Sequence, residues 1–427
     1  MKVLWLVNNM CEAVEYLTEN GRACGWLYSL CRQLRQQNDV ELHIAFMWGQ
    51  KHDVFNYNGV VYHPVYAKGI TSRVGRLWNR IQDSISDNND VELLRQCLCI
   101  IREVSPDIIH IHGSEDMFGL VTQSREVKCP VVLSIQGLLS SIKLKFYSGI
   151  TQSDIAHNEP IWKKIILSGF NGVYRDFKLR ADREEMIFKN LDYVIGRTQW
   201  DKRCALALNP NLSYYIVNEI LRPEFLPSVW HPRPPQECFI ITTTISSGIF
   251  KGLEVIYQAA QILTHVHFPF AWKIVGLTPD DEMVLMVEKV CNIRAKDVHI
   301  ELLGQKRADE VVQVLLQSDL YVQASHIENS PNSVCEAMAL GMPIIASYVG
   351  GTSSMLQNGE EGTLIQDGNH YELAGAIMEA RQNYANAVNM GENARKRALP
   401  RHSPDNVVHE LMDAYKSIIN ASKNIVC

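Results

Sequence analysis

The sequence predicts an α/β fold of two domains, each built around an open sheet flanked by helices. Short apolar runs that end in glycine or polar residues alternate with amphipathic helical patterns, as in MKVLWLVNN at the start and PDIIHIHG at 106–113. Five prolines between residues 222 and 235 interrupt this alternation. The chain has 427 residues, 46% hydrophobic and 21% charged, which is enough for two separate cores.

The proline-rich segment sets the predicted domain boundaries. Residues 1–220 are expected to form the first domain, residues 221–237 a linker and residues 238–403 the second domain. Residues 404–427 follow as a terminal helix.

Composition excludes several classes of protein. A net charge of -6 gives no reason to expect nucleic-acid binding. Eleven cysteines, with no CxxC pair, favour reduced thiols over a disulfide framework. The apolar run VLWLV is too short for a signal-peptide core or a membrane span. We therefore expect a cytoplasmic protein that is soluble or peripherally attached to the inner membrane face.

One basic segment bears on membrane contact. Residues 68–82, KGITSRVGRLWNRIQ, contain lysine and arginine but no acidic residue, and apolar positions alternate with the basic ones. This pattern is typical of a basic amphipathic helix or loop. It is equally compatible with a solvated surface helix and with docking on anionic lipid headgroups.

The segment 321–355 carries the most informative pattern, which is strand, loop, helix, strand and glycine turn. Ser330 and Pro331 predict a helix start, with serine as the cap and proline at the first helical position. Gly341, with Pro343 two residues later, predicts the helix end.

Two glutamates lie in this segment, Glu328 before the helix and Glu336 within it, with seven residues between them. Each could be a solvated surface residue, and Glu328 could simply complement the helix dipole. However, Glu336 lies in an apolar stretch where an unpaired carboxylate would be costly to bury. The helix start is also a ready site for phosphate. A diphosphate at the helix start, with a carboxylate on either side for hydroxyls, would account for these features.

These residues carry a resemblance to a known family. The spacing of Glu328 and Glu336, the following AMALGMP and the Gly350-Gly351 turn resemble the nucleotide-sugar site of the retaining family 4 glycosyltransferases. The phrase YYIVNEILRPEF at 214–225 looks like the bacterial surface-polysaccharide branch of that family. The resemblance implies the GT-B fold, with two Rossmann-like domains facing across a cleft and the terminal helix crossing back to the first domain.

The resemblance also assigns roles to individual residues. The first glutamate would contact the donor sugar, the second the ribose, and the lysine of the SGIFKG turn the donor phosphates. The residues assigned to catalysis are Glu328, Lys251, His112 and Gln136. Those assigned to donor binding are Gly25, Gly248, Gly276, Gly304, Asn329, Ser330, Pro331, Asn332 and Glu336.

The chain departs from the family pattern at two positions. Many members carry a histidine where this chain has Gln136, which puts in doubt any scheme that needs an imidazole base there. An arginine usually stands five residues before the lysine, where this chain has Ser246. Arg307 is a candidate substitute for that arginine.

The expected activity is retaining transfer of a sugar from a nucleotide-diphosphate donor to an acceptor hydroxyl, in bacterial polysaccharide or glycolipid synthesis. The acceptor would be a saccharide or a lipid-linked saccharide. Residues 140–203, with twelve basic and eight acidic side chains, would receive it or form a solvated charged face. No cofactor or metal is expected. The alternatives are a nucleotide-sugar epimerase of the same fold and a catalytically weakened nucleotide-sugar-binding protein.

Overall fold

The computed structural model describes residues 1–19, 25–67, 88–165, 169–233 and 237–425. The basic segment 68–82 lies outside these residues. The chain divides into two compact units. The first comprises residues 1–141, 175–220 and 402–427, and the second comprises residues 142–174 and 221–401.

The first unit contains an eight-stranded sheet. Its strands are β1 Lys2–Val7, β2 Glu41–Trp48, β3 Phe55–Tyr57, β4 Val60–Tyr66, β5 Ile108–His112, β6 Val131–Ser134, β7 Tyr193–Gly196 and β8 Ser213–Ile216. They are arranged in the order β3-β4-β2-β1-β5-β6-β7-β8, and every neighbouring pair is parallel except β3 with β4. The central strands β1 and β5 are almost entirely buried, as expected of parallel strands covered on both faces.

Helices cover this sheet. The helix Trp26–Leu34 buries Leu27, Leu30, Cys31 and Leu34, the four residues whose spacing predicts its apolar face. The terminal helix also belongs to this unit, and Tyr415 accepts a hydrogen bond from Trp5 Nε1 of β1 at 3.0 Å. Among the described residues, the α-helices that lie wholly or partly in the unit are Ala13–Leu17, Trp26–Leu34, Asn88–Val104, Leu139–Ile142, Phe170–Phe188, Gln199–Leu208 and Pro404–Ile425.

The second unit contains a six-stranded parallel sheet. Its strands are β9 Phe239–Thr244, β10 Phe270–Val275, β11 Ile300–Leu302, β12 Leu320–Gln323, β13 Ile344–Ser347 and β14 Thr363–Ile365, in the order β11-β10-β9-β12-β13-β14. The remaining α-helices are Gln152–Asn158, Ile161–Ile165, Leu253–His265, Glu282–Cys291, Ala308–Leu316, Asn332–Leu340, Thr352–Met355, His370–Gln382 and Tyr384–Arg401. Both units are therefore α/β, as the sequence predicts.

Residues 142–174 differ from the predicted domain boundaries. The sequence interpretation includes them in the first domain, whereas the structure groups them with the second unit. Lys145 pairs with Asp367 at 2.7 Å, and Lys163 pairs with Glu282 at 2.6 Å. These partners lie more than 100 positions further along the chain, so no local pattern could have identified them.

Candidate active site

The carboxyl ends of the parallel strands form one edge of the second unit's sheet, which is where open α/β sheets bind ligands. The helix Asn332–Leu340 starts near the end of β12. It begins one residue later than predicted, because Pro331 has an extended ψ of 106° and occupies the cap position. Its predicted end is confirmed, since Gly341 adopts a left-handed φ of 84°.

Lys251 and Glu328 form an ion pair in this unit. The Lys251 Nζ lies 2.7 Å from Glu328 Oε1, and Ser325 Oγ donates to the same oxygen at 2.8 Å. Both side chains are partly accessible, at 22% and 14% exposed. A cation suited to phosphate and a carboxylate suited to a hydroxyl are thus held side by side. Their roles toward a donor stay predictions.

The glycine turn after β13 supports the loop that carries Glu328. Gly351 N–H donates to the Glu328 carbonyl oxygen at 3.0 Å. Gly350 has a φ of +49°, and a Cβ at this position would lie 1.8 Å from the same carbonyl oxygen. Glycine is needed there, because any side chain would push the glutamate loop out of place.

Glu336 is buried and paired, which excludes its solvated alternative. It is 5% exposed, and the forked guanidinium of Arg222 holds both carboxylate oxygens at 2.6 and 2.7 Å. Burial raises the pKa of Glu336, while Arg222 opposes that rise. Sequence analysis missed Arg222. The only available signal was the cost of an unpaired buried carboxylate, which calls for a cation without identifying it.

The other polar residues of the loop lie beside these pairs in sequence. Asn329 is buried, and Ser330 Oγ lies 3.2 Å from Met355 Sδ. At the first position of the helix, Asn332 has a buried Oδ1 with no hydrogen-bond partner among the described residues. An unpaired amide oxygen of this kind can accept a hydrogen bond from a ligand hydroxyl.

Three predicted glycines follow other strands of the same sheet. Gly248 follows β9 with an extended φ of 176° and caps the short 3-10 turn Ile249–Lys251. Gly276 and Gly304 follow β10 and β11, and the structure brings them together, because Gly276 N–H donates to the Gly304 carbonyl at 2.8 Å. The loops after three neighbouring strands therefore approach one another at this edge.

Arg307 does not lie in a comparable environment. Its side chain is 61% exposed and pairs with Asp309 at 2.8 Å, close to the start of the helix Ala308–Leu316. The structure therefore offers no contact in favour of Arg307 as the substitute for the arginine missing at Ser246.

The sequence patterns also did not identify His326, a buried imidazole two residues before Glu328. His326 is 2% exposed and lies between two carboxylates, with Nε2 at 2.5 Å from Glu254 and Nδ1 at 2.6 Å from Asp367. Burial lowers the pKa of His326, but the bonds to Glu254 and Asp367 outweigh it and the net shift is upward. Lys145 reaches the second oxygen of Asp367 at 2.7 Å, so this cluster ties residues 142–174 to the glutamate loop.

In the first unit, β5 ends in two histidines with different environments. His110 Nδ1 lies 2.5 Å from the Tyr415 hydroxyl, and His110 Nε2 lies 2.6 Å from Ser134 Oγ. Both ring nitrogens of His110 are therefore used in contacts within the unit, which indicates a structural role.

His112 is as deeply buried as His110, but neither of its ring nitrogens has a hydrogen-bond partner among the described residues. Its ring packs against Trp5 with centroids 4.4 Å apart. Burial, with His110 and Arg197 nearby, holds the pKa of His112 well below its usual value. The imidazole is thus neutral at neutral pH and a weak base.

Gln136, which follows β6, lies near a carboxylate that sequence analysis missed. A Cβ placed on Gly113, whose φ is +99°, would lie 2.0 Å from Glu115 Oε2 and 3.5 Å from Gln136 Cδ. The Glu115 carboxyl thus lies over Gly113, on the side of the loop that follows β6. The only sequence signal for it was the polar GSED that follows a buried strand.

Gly25 caps the helix Trp26–Leu34 with a φ of +90°, and a Cβ there would meet no atom of the described residues within 4 Å. Backbone conformation rather than space therefore favours glycine at this position. The neighbouring Trp26 ring lies 4.4 Å below the Arg197 guanidinium, at the end of β7.

Within the part of the chain that the structure describes, no helix is long and apolar enough to span a membrane.

Comparison with known families and proteins gives consistent results. Residues 241–397 match the family model described as Glycosyl transferases group 1. The chain is 28% identical over 171 residues to N-acetyl-alpha-D-glucosaminyl L-malate synthase of Bacillus anthracis, covering 40% of this chain and 43% of that protein. It is 25% identical over 173 residues to the capsular polysaccharide biosynthesis glycosyltransferase CapM of Staphylococcus aureus, covering 40% and 44%. The chain spans less than half the length of these curated relatives.

Solved structures are similar over nearly the whole chain. Sucrose-phosphate synthase from Thermosynechococcus elongatus superimposes with a TM-score of 0.71 at 16% identity, covering 99% of this chain and all of that one. HepE of Anabaena, solved with UDP and glucose, gives a TM-score of 0.62 at 14% identity, covering 98% and 100%. At these identities the likeness establishes the fold.

Proposed function

The chain has the GT-B fold and carries a group 1 glycosyltransferase domain at residues 241–397, and from this premise we propose that it transfers a sugar from a nucleotide-diphosphate donor to an acceptor hydroxyl with retention of configuration. The predicted fold is confirmed, and residues 241–397 match a glycosyltransferase family model. The activity of the whole protein is our proposal, and the arrangement of charges in the second unit supports it.

The observation that carries the proposal is the pairing of Lys251 with Glu328 and of Arg222 with Glu336. Glu336 of the second pair lies in the helix Asn332–Leu340, and Glu328 of the first pair lies in the loop just before it. In our proposal the diphosphate binds at the helix N-terminus, where free N–H groups favour an anion. Glu336 then accepts a ribose hydroxyl, since a carboxylate has acceptor sites beyond the two that Arg222 occupies.

Lys251 would act on the leaving group. As the glycosidic bond breaks, negative charge develops on the diphosphate, and a fixed cation stabilises that charge more than it stabilises the ground state. Glu328 orients the ammonium group and offers its second oxygen to a donor-sugar hydroxyl. Because Lys251 supplies this positive charge, we propose that transfer requires neither a metal ion nor another cofactor.

The relatives suggest where to search for substrates. CapM is a capsular polysaccharide biosynthesis enzyme, and HepE was solved with UDP and glucose. We propose by analogy a role in bacterial polysaccharide or glycolipid synthesis, with uridine diphosphate sugars as the first donors to test.

The proposed acceptor is a saccharide, free or carried on a lipid at the cytoplasmic face of the inner membrane. Residues 142–174 expose apolar side chains, since Leu144 is 79% exposed beside Lys143 and Trp162 is 57% exposed. Apolar side chains with adjacent lysines are suited to an anionic membrane surface. Co-sedimentation should then occur with phosphatidylglycerol vesicles and fail with phosphatidylcholine vesicles, and equal recovery with both would contradict membrane contact.

A thermal-shift screen followed by product analysis tests the central proposal. We expect one nucleoside diphosphate among UDP, GDP, ADP and dTDP, and its sugar nucleotides, to raise the unfolding midpoint, because a ligand that binds the native state stabilises it. Incubation with that donor and a saccharide acceptor should give a glycoside with the donor's anomeric configuration. Conversion of the donor to its epimer without an acceptor would contradict the proposal, as would binding with no turnover.

A further inference from the structure

Two short segments of the second unit are joined by two side-chain ion pairs. The first is the pair of Lys251 with Glu328, with 2.7 Å between Lys251 Nζ and Glu328 Oε1. The second joins Glu254, which follows Lys251 closely in the chain, to His326 in the loop that carries Glu328. Its Glu254 Oε1 lies 2.5 Å from His326 Nε2. The two pairs are therefore side-by-side links between the same two segments.

The backbones of these segments are also in direct contact. The His326 N–H donates to the carbonyl of Phe250, the residue before the lysine, at 2.8 Å. A Cβ on Gly252, whose φ is +72°, would lie 1.9 Å from the Ala324 carbonyl oxygen. A displacement of either segment would therefore change the position of the lysine ammonium.

The two pairs differ in their access to solvent. The side chains of Lys251 and Glu328 are 22% and 14% exposed, whereas those of His326 and Glu254 are 3% and 2% exposed. In the proposed function, the donor diphosphate competes with Glu328 for the Lys251 ammonium. The buried pair has no such competitor, so it still holds the two segments together when the donor binds.

The hydrogen bonds of His326 require a proton on both ring nitrogens. Nε2 faces Glu254, and Nδ1 lies 2.6 Å from Asp367 Oδ1. An ionised carboxylate only accepts and a neutral imidazole has a single N–H, so this geometry fits an imidazolium. Lys145 Nζ lies 2.7 Å from the other oxygen of Asp367, so two cations balance two carboxylates.

The cluster is covered by residues 142–174 of the same unit. A Cβ on Gly149, whose φ is +84°, would lie 1.9 Å from Glu254 Oε1 and 2.8 Å from His326 Nε2. The Oε2 atom of Glu254 is buried and has no hydrogen-bond partner among the described residues. Loss of the imidazolium would therefore leave a buried carboxylate without its cation, which is costly.

We propose that His326 is a positioning residue for sugar transfer: its imidazolium, held between Glu254 and Asp367, keeps Lys251 in place for the donor diphosphate. This role rests on the proposed function. The ring does not contact the donor, because it is buried and both nitrogens are used within the cluster. It acts through Lys251, whose charge must stay aligned with the leaving diphosphate as the glycosidic bond breaks.

The proposal predicts a loss of activity at alkaline pH. Among the described residues, the charged groups around the ring are Glu254 on the helix Leu253–His265, Asp367 after β14, Lys145 behind Asp367, and Glu328 in its own loop. Burial lowers the pKa of His326, but the bonds to Glu254 and Asp367 outweigh it and the net shift is upward from 6.5. The imidazolium is therefore present at pH 6.5 and is lost as the pH rises further.

The kinetic test uses the full-length protein with UDP-glucose, UDP-galactose and UDP-N-acetylglucosamine, and it follows UDP release to water and to free glucose between pH 6 and 9. For the wild type, kcat should be constant at the acidic end of this range and then fall. His326→Gln should lose up to about 100-fold in kcat and show no such fall, while the donor KM changes less than kcat.

Asp367→Asn is a second variant that keeps the buried pair of His326 with Glu254. It should move the fall in kcat to lower pH, because it removes one of the two charges that favour the imidazolium. His265→Gln is the matched control, since it removes an exposed histidine from the helix that carries Glu254. This control should retain both the rate and the pH profile of the wild type.

Nitrogen-15 spectra of the imidazole groups give a readout that does not depend on turnover. The His326 signal is identified by its absence from the His326→Gln spectrum, and at pH 6.5 it should show both ring nitrogens protonated. A neutral ring at this pH would overturn the proposal.

The kinetic outcomes separate this inference from the proposed function. His326→Gln with the wild-type rate, or with a lower rate and the same alkaline fall, would overturn the inference alone. An active Asp367→Asn variant with an unchanged pH profile would also overturn it, whether or not His326→Gln folds. Wild-type protein that releases UDP from none of the three donors would overturn the proposed function with these donors, together with this inference.

Discussion

The two units place opposite kinds of polar group at the carboxyl edges of their sheets. In the second unit the charges are paired: Lys251 with Glu328, Arg222 with Glu336, and His326 with two carboxylates. In the first unit, His112 and Glu115 leave buried polar atoms without hydrogen-bond partners among the described residues. The donor that we propose for the second unit is anionic, which fits the fixed cations there.

The difference has a physical origin. A charge can be kept in a buried position when its partner is fixed beside it, and both cations in question lie within 2.7 Å of a carboxylate. A carboxyl group without such a partner instead has a raised pKa, and burial raises the pKa of Glu115 to about 7. Charge pairing therefore keeps both partners of a pair charged in the second unit, whereas its absence favours the neutral form of Glu115 in the first unit.

Removing Lys251, one of the paired cations of the second unit, should have the largest effect on the rate of transfer. Lys251→Met should lower kcat by roughly 100- to 1,000-fold, because it removes the fixed charge that stabilises the leaving diphosphate. Steady-state kinetics with the donor found in the screen would measure this change. The exposed Lys296→Met variant is the control and should match the wild type, and a Lys251→Met variant with a similar rate would contradict the role of the pair.

The pH dependence of the free energy of unfolding tests the part of the comparison that concerns Glu115 in the first unit. Glu115 has a pKa of about 7 when folded and an ordinary value near 4.5 when unfolded, so the folded state binds more protons between these pH values. Stability should then fall as pH rises from about 4.5 to about 7, by at most roughly 3 kcal/mol, and change little above that.

The Glu115→Gln substitution should remove this loss of stability between pH 4.5 and pH 7. The variant should match the wild type near pH 4.5 and unfold several degrees higher at pH 8, as thermal denaturation would measure. Glu126→Gln, which removes a carboxylate that is 55% exposed, should show no such gain. If the two proteins kept the same difference in midpoint at both pH values, the carboxyl would not be held neutral by its surroundings.

Chelation should have the smallest effect. Because Lys251 rather than a metal ion is proposed to neutralise the diphosphate, millimolar EDTA should leave the initial rate of transfer unchanged. The same assay with added Mg²⁺ is the comparison. Complete loss of activity on chelation, with recovery on adding Mg²⁺, would show that the paired charges of the second unit are insufficient.

Local patterns in the sequence were enough to predict the α/β fold and the helix that carries Glu336. The end of this helix could be predicted because glycine followed by proline acts locally. The buried position of Glu336 was also suggested, since its neighbours are apolar. Arg222, by contrast, lies 114 positions from Glu336, and no spacing rule connects them.

Local sequence patterns also could not identify Glu115 and Glu184 of the first unit. Glu115 and Glu184 each have an ordinary sequence context. Glu184 accepts hydrogen bonds from backbone donors in another loop, and Glu115 has a buried Oε2 without a partner among the described residues. Residues 142–174 were assigned to the wrong unit for a similar reason, because Lys145 and Lys163 find their partners far along the chain.

Isothermal titration of the nucleoside diphosphate against wild type, Glu336→Gln and Glu115→Gln tests the central claim most directly. Glu336→Gln should bind roughly 10- to 100-fold more weakly, because it loses a charge-assisted hydrogen bond to the ribose. Glutamine keeps the size of the side chain and can still accept from Arg222. Glu115→Gln should bind as tightly as the wild type. Weakened binding by Glu115→Gln, with unchanged binding by Glu336→Gln, would contradict the assignment of the donor to the second unit.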